Sequence, residues 1–173
     1  MECVFVGTGT IIVLNGVSSS GKSTLAKEIT KLLPDFFTFS IDDYDHVIEK
    51  MEDRENKRLI PIDTEFFYYH NAAMFSEQGV NLILDQILHD RLTVENFYEI
   101  LGSHPILLVG VHCPEEELER REQARGDRRI GQALSQLSFV HQQEIYDIEV
   151  NTYTHSIEEC AKAVVDRVER EGI

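Results

Sequence analysis

The chain has 173 residues, enough for one domain with a buried core and no need of disulfides or a structural metal. Its 31 acidic against 16 basic residues leave a net charge of −15, which excludes the basic stripe of a nucleic-acid or acidic-membrane surface and points to small-molecule partners. Cys3, Cys113 and Cys160 form no Cys-x-x-Cys pair and the seven histidines show no ligand spacing, so neither a disulfide framework nor a zinc site is expected.

The start Met1-Glu2-Cys3 carries an acid where a secretion signal carries bases, and no apolar run approaches the roughly 18 residues of a membrane span. A cytoplasmic protein is the expectation. Residues 11–15 are almost wholly apolar, as in a parallel strand covered on both faces. Directly after them, residues 16–23 read Gly-Val-Ser-Ser-Ser-Gly-Lys-Ser, a complete phosphate-binding loop. Gly16 and Gly21 let the backbone bend tightly and turn its N–H groups inward, where a Cβ would obstruct. Gly16, Val17, Ser18, Ser19, Ser20, Gly21, Lys22, Ser23 and Thr24 are therefore the nucleotide-binding candidates. Lys22 is expected to reach the β/γ-phosphates of a nucleoside triphosphate, and the Ser23 hydroxyl to ligate Mg²⁺.

A helical stripe follows over residues 23–33, stopped by Pro34, and residues 36–41 read as a second strand ending at Asp42-Asp43. Residues 51–58 are strongly charged and read as a solvated loop or helix face. Residues 65–78 form a helix with six bulky groups among Phe66, Phe67, Tyr68, Tyr69, Met74 and Phe75, too many for one stripe. Core packing, a homo-oligomer interface and a wall of the acceptor pocket all remain open for them. Residues 81–85 and 105–112 are further strands, with a helix over 93–101 between them ending at Gly102. Helices are expected at 115–124, 132–145 and 157–169, and a short strand at 146–151.

Alternating strands and helices after a phosphate loop imply an α/β, three-layer P-loop NTPase fold, a parallel sheet flanked by helices, in a single domain over residues 1–173. Ligands bind at the carboxyl ends of such strands, where Asp42 and Asp85 stand, with Asp43 and Asp45 as weaker candidates. Asp85, after Leu82-Ile83-Leu84, has the pattern of a Mg²⁺-side carboxylate. Either aspartate also suits a turn or helix cap. Residues 120–131 concentrate five arginines in an acidic chain, and Gly126 and Gly131 would let the segment close as a flexible lid around residues 120–131. Surface pairing with Glu115 to Glu122 competes for part of that set.

Three blocks carry a resemblance: Ile-Val-Leu-Asn-Gly-Val-Ser-Ser-Ser-Gly-Lys-Ser at 12–23, Leu-Ile-Leu-Asp at 82–85, and a long stretch over 109–161. The last holds Arg-Glu-Gln-Ala-Arg-Gly-Asp-Arg at 121–128 and Tyr-Asp-Ile-Glu-Val-Asn-Thr at 146–152. With these blocks the chain resembles the chloramphenicol phosphotransferases, small P-loop kinases of an antibiotic hydroxyl. The resemblance implies Asp42 as the catalytic carboxylate, Arg125 and Arg128 as lid arginines, and Lys22 with Ser23 as the phosphate-loop pair. The chain departs from the family pattern at Asp43-Tyr44, at Gln86-Ile87-Leu88 and over residues 45–69, where an acceptor should sit. The expectation is thus an ATP- and Mg²⁺-dependent phosphotransferase acting on a small-molecule alcohol, chloramphenicol or a related antibiotic. A kinase of another metabolite, such as a nucleoside or sugar nucleotide, and a non-catalytic nucleotide-binding regulator stay open beside it.

Overall fold

The computed structural model describes residues 7–125, 131–142 and 144–172, the side chain of Arg125 excepted. Strand β1 (Ile11–Asn15) has all five residues buried, because it lies at the centre of the sheet with β3 (Asn81–Gln86) on one side and β4 (Ile106–His112) on the other. The outer positions go to β2 (Phe36–Ser40), beside β3, and β5 (Ile148–Asn151), beside β4, giving the order β2-β3-β1-β4-β5. All four pairings are parallel. A parallel sheet needs a crossover between neighbours, and here helices provide them and cover both faces.

Side-chain alternation sends Ile12, Leu14, Ile83, Val109 and Val111 to one face, where they meet Leu25 and Ile29 of α1 (Lys22–Leu32) and Ala161, Val164 and Val168 of α7 (Ile157–Glu171). Ile11, Val13, Leu82, Leu84 and Leu108 point the other way, onto α3 (Thr64–Glu77) and α4 (Arg91–Leu101). The same period fixes the end of β3: Asp85 falls on the α1 face and Gln86 on the α3 face. A third cluster, built from Val17, Cys113, Leu118, Ala133 and Val140, supports the segment after β1.

Three segments differ from the sequence reading. Residues 41–51 form a helix, α2 (Ile41–Met51), where the sequence reading ended a strand at Ile41 and placed no helix. Asp42 and Asp43 then sit in its first turn, a favourable position for carboxylates against the helix dipole. The helix expected over 132–145 is cut to α6 (Gln132–Gln136); the chain leaves it through turns and reaches a left-handed backbone at His141, φ 70°. Asp85 lies inside β3, which runs one residue further than expected. The aromatic helix is chiefly a packing element. Tyr68 stacks on Phe39 with centroids 4.7 Å apart and donates its hydroxyl to Phe39 O at 2.6 Å, and Tyr69 packs edge-on to Phe97, while Phe66, Met74 and Phe75 stay exposed.

Candidate active site

The chain after β1 turns back on itself before entering α1. Ser19 (φ 61°) and Gly21 (φ 100°) both take the left-handed backbone, which folds the segment into a tight loop of the kind that can curl around an anion. Gly16 has no room for a side chain, since a Cβ there would stand 2.5 Å from Val111 O. Gly16, Val17 and Ser20 make the buried floor of this loop, and Ser18, Ser19, Gly21, Lys22, Ser23 and Thr24 face a cavity of about 410 Å³. Lys22 is buried, and its ammonium donates to Gly16 O at 2.8 Å and Val17 O at 3.0 Å.

The loop is braced from outside. Thr152, just after β5, donates its hydroxyl to Ser20 O at 2.6 Å. Arg121, on α5 (Glu115–Arg125), donates to Ser19 O at 3.3 Å, to Thr152 Oγ1 at 3.0 Å and to Thr152 O at 3.1 Å. Glu117 holds that guanidinium at 2.7 Å, and hydrogen bonds from Arg120 and Arg121 bring its carboxyl down to about 2. Gln136 Oε1 accepts from Ser18 N at 2.7 Å. Behind it, the buried Glu122 accepts from Gly131 N at 2.8 Å and Ala133 N at 2.7 Å, tying α6 to α5. A carboxylate at a helix N-terminus satisfies N–H groups that the helix itself leaves unpaired.

The opposite wall of the cavity comes from α2 and the tip of β3. Asp42, exposed on the first turn of α2, and Asp85, 8% exposed, line it together with Ile41, Gln86 and Ile87. Asp42, Asp85, Lys22 and Ser23 thus share one cavity despite a separation of more than sixty residues in the chain. Arg120 and Arg121 also reach it. Arg125 ends α5, with its side chain outside the described residues, and residues 126–130 of the expected lid, Gly126 and Arg128 among them, lie outside them altogether. Asp43 and Asp45 do not line the cavity; burial raises the Asp45 carboxyl, and Thr64 hydrogen-bonds to it.

Across the sheet at the loop's level runs a polar row that the sequence reading did not single out. Asn15 is in register with Gln86 of β3 and Gly110 of β4, and the Tyr146 ring covers Gly110 so closely that a Cβ there would come within 2.8 Å of it. Asn15 Oδ1 accepts from Leu88 N at 2.9 Å, and its Nδ2 donates to the Tyr146 hydroxyl at 2.8 Å. That hydroxyl stands 2.7 Å from His141 Nδ1. Asn15 donates to this hydroxyl, and a neutral His141 with Nδ1 unprotonated can accept the hydroxyl's own proton. Burial, then the neighbouring His112 and the charge of Lys22, lower His141 to about 4, consistent with that neutral form.

Gln86 is different. It is 2% exposed, and neither Oε1 nor Nε2 has a hydrogen-bond partner among the described residues. An amide buried in this state costs the fold about 1–3 kcal/mol. A Leu such as Leu84, two residues earlier on the same face, stabilises by about 1.5–3 kcal/mol when buried, so packing alone does not account for a glutamine here.

The loop, the sheet order and the helix-covered faces define a P-loop phosphotransferase fold, with the loop of residues 16–24 on one side of the cavity and the carboxylates on the other. Residues 9–169 match the family model described as chloramphenicol phosphotransferase-like protein, and the chain belongs to that family, a small-molecule kinase. It is similar, at 28% identity over 89% of this chain and 80% of the relative, to a Mycobacterium tuberculosis protein whose name proposes an O-phosphotransferase. Its fold is similar to that of the M. tuberculosis APS kinase in complex with AMPPNP and APS, at TM-score 0.71 and 18% identity, covering 94% of this chain and 99% of that one. A gluconokinase from Sinorhizobium meliloti shares the fold at TM-score 0.66 and 19% identity, covering 96% and 93%. No helix among the described residues is long and apolar enough to cross a membrane.

Proposed function

We propose that this protein transfers the γ-phosphoryl group of ATP, with Mg²⁺, to a hydroxyl of a small-molecule alcohol, chloramphenicol and related antibiotics among the candidate acceptors. The observation that carries the reading is the single cavity shared by Lys22, Ser23, Asp42 and Asp85. The loop N–H groups hold the β- and γ-phosphates, and Lys22 turns from its loop carbonyls to the phosphate oxygens. A hydroxyl and a carboxylate are hard oxygen donors of the kind Mg²⁺ takes together with nucleotide phosphates, so Ser23 and Asp85 fit the ion. Bound there, Mg²⁺ offsets charge on the phosphate oxygens. Asp42 orients the acceptor hydroxyl and takes its proton as the oxygen bonds to the γ-phosphorus. The bond from that phosphorus to the bridging oxygen breaks and ADP leaves.

Arg121, fixed over Ser19, adds positive charge beside the loop, and Arg125 and Arg128 act from the lid. Residues 1–173 work as one domain, in the ATP-supplied cytoplasm. That the fold relatives include an APS kinase and a gluconokinase supports a small acceptor alcohol.

A mass-resolved assay with purified protein, ATP and Mg²⁺, with and without chloramphenicol and a panel of other alcohols, tests the reading. A product heavier by one phosphate is the expected result. Tight ATP binding without transfer to any alcohol would overturn it and favour a regulatory nucleotide-binding protein.

A further inference from the structure

Gln86 and Asn15 carry the same chemical group, stand opposite one another in register and point to the same face of the sheet. Asn15 uses its carbonyl and its amide nitrogen within the fold. Gln86 uses neither among the described residues, although it is buried, and it forms part of the cavity wall with Asp42 and Ile87. One amide of the row is structural, and the other is held ready.

We propose that Gln86 reads the acceptor: its amide, closed off within the fold but belonging to a residue of the cavity wall, turns into the cavity and pairs with a hydrogen-bond donor and acceptor fixed side by side on the substrate, as on a nucleobase or another ring amide, while the substrate hydroxyl faces Asp42. This rests on the phosphotransferase reading above. A glutamine offers one acceptor and two donors in a plane, and a ring-amide edge answers it with one of each. The neighbouring wall residues Ile41 and Ile87 are apolar, which suits a flat body with a single polar edge. A polyol would need polar partners along its whole length. A site built to hydrogen-bond one edge also rejects molecules that lack it, since its buried amide then stays unpaired.

The test compares wild type with Gln86→Met and Gln86→Glu, using the four ribonucleosides, chloramphenicol and gluconate as probes, with phosphorylation followed by mass. Transfer to at least one ribonucleoside is expected, with its KM raised at least about tenfold in both variants and the Kd for ATP unchanged. Gln86→Glu keeps the acceptors and removes the donors, so a fixed edge is lost, whereas the rotating hydroxyls of a polyol would adapt to it. Without any ligand, Gln86→Met is expected to raise Tm, because a side chain of similar shape replaces an unpaired amide. A lowered Tm would show the amide to be engaged in the fold and overturn the proposal. A wild type that binds ATP and phosphorylates chloramphenicol or gluconate but no ribonucleoside, or phosphorylates none of the probes, overturns it alone. A wild type that binds no ATP overturns the phosphotransferase reading with it.

Discussion

Lys22→Ala is expected to lower phosphoryl transfer at least about 10³-fold, the scale on which a cation at a transferring phosphoryl group acts in a site closed to water. Lys22 enters α1 at its first turn and is 8% exposed, and its ammonium is already drawn against the loop by Gly16 O and Val17 O. Those two carbonyls hold the charge within the cradle before a nucleotide arrives, so little rearrangement is needed when phosphate oxygens replace them. Alanine removes the charge and also leaves the two carbonyls without this donor, so part of the effect should appear as weaker ATP binding. The larger part should appear in kcat, because charge on the γ-phosphoryl oxygens matters most as the bond to the leaving oxygen breaks. Single-turnover rates and ATP titration on the same samples separate the two. A variant that binds ATP normally and turns over at the wild-type rate would contradict the role.

Asp42→Asn should have the second largest effect, a fall in kcat of about 10²- to 10⁴-fold with the Kd for ATP nearly unchanged, as expected for the loss of a general base. Asparagine keeps the shape of the side chain and removes its basicity, and the exposed position on the first turn of α2 makes a folding defect an inadequate explanation. Asp43 supplies the control. It is the next residue of the same turn, is also exposed and does not line the cavity, so Asp43→Asn should retain wild-type kcat. Equal losses at both positions would mean that the charge of the turn matters rather than a base at residue 42.

The phosphate loop was legible because it is local: eight consecutive residues set the turn, the cation and the helix start. Strands β1, β3 and β4 were legible because a parallel strand covered on both faces demands an apolar run, and the partly exposed edge strands β2 and β5 through their aromatic and β-branched residues. Helix α2 was hidden by its own beginning, since the aromatic and β-branched run of β2 resumes at Ile41 after Ser40 alone. Tyr44, Val47, Ile48 and Met51, spaced three and four apart after Ile41, mark the helical period. The error at α6 has the opposite cause. Ala133, Leu137 and Val140 keep helical spacing and are packed in the cluster beneath the loop, yet only Ala133 is in the helix and the chain reaches Leu137 and Val140 through turns after Gln136. For the candidate site, the sequence marked carboxylates at strand ends but not which arginine reaches the loop, because Arg121, paired with Glu117 one turn back on α5, is selected by Thr152 and Ser19, which only the fold brings to it. The unpaired state of Gln86 was equally out of reach: whether a buried amide has partners is a property of the packed sheet, and Asn15 in the same row has them.

The measurement that tests the central claim most directly is a crystal structure of the protein with a non-hydrolysable ATP analogue and Mg²⁺. The account predicts the triphosphate in the cradle of residues 16–24, Lys22 Nζ moved from Gly16 O and Val17 O onto phosphate oxygens, and the γ-phosphate in the cavity facing Asp42. A triphosphate bound elsewhere, or one in the cradle whose γ-phosphate points away from Asp42 while Lys22 keeps both carbonyls, would contradict it.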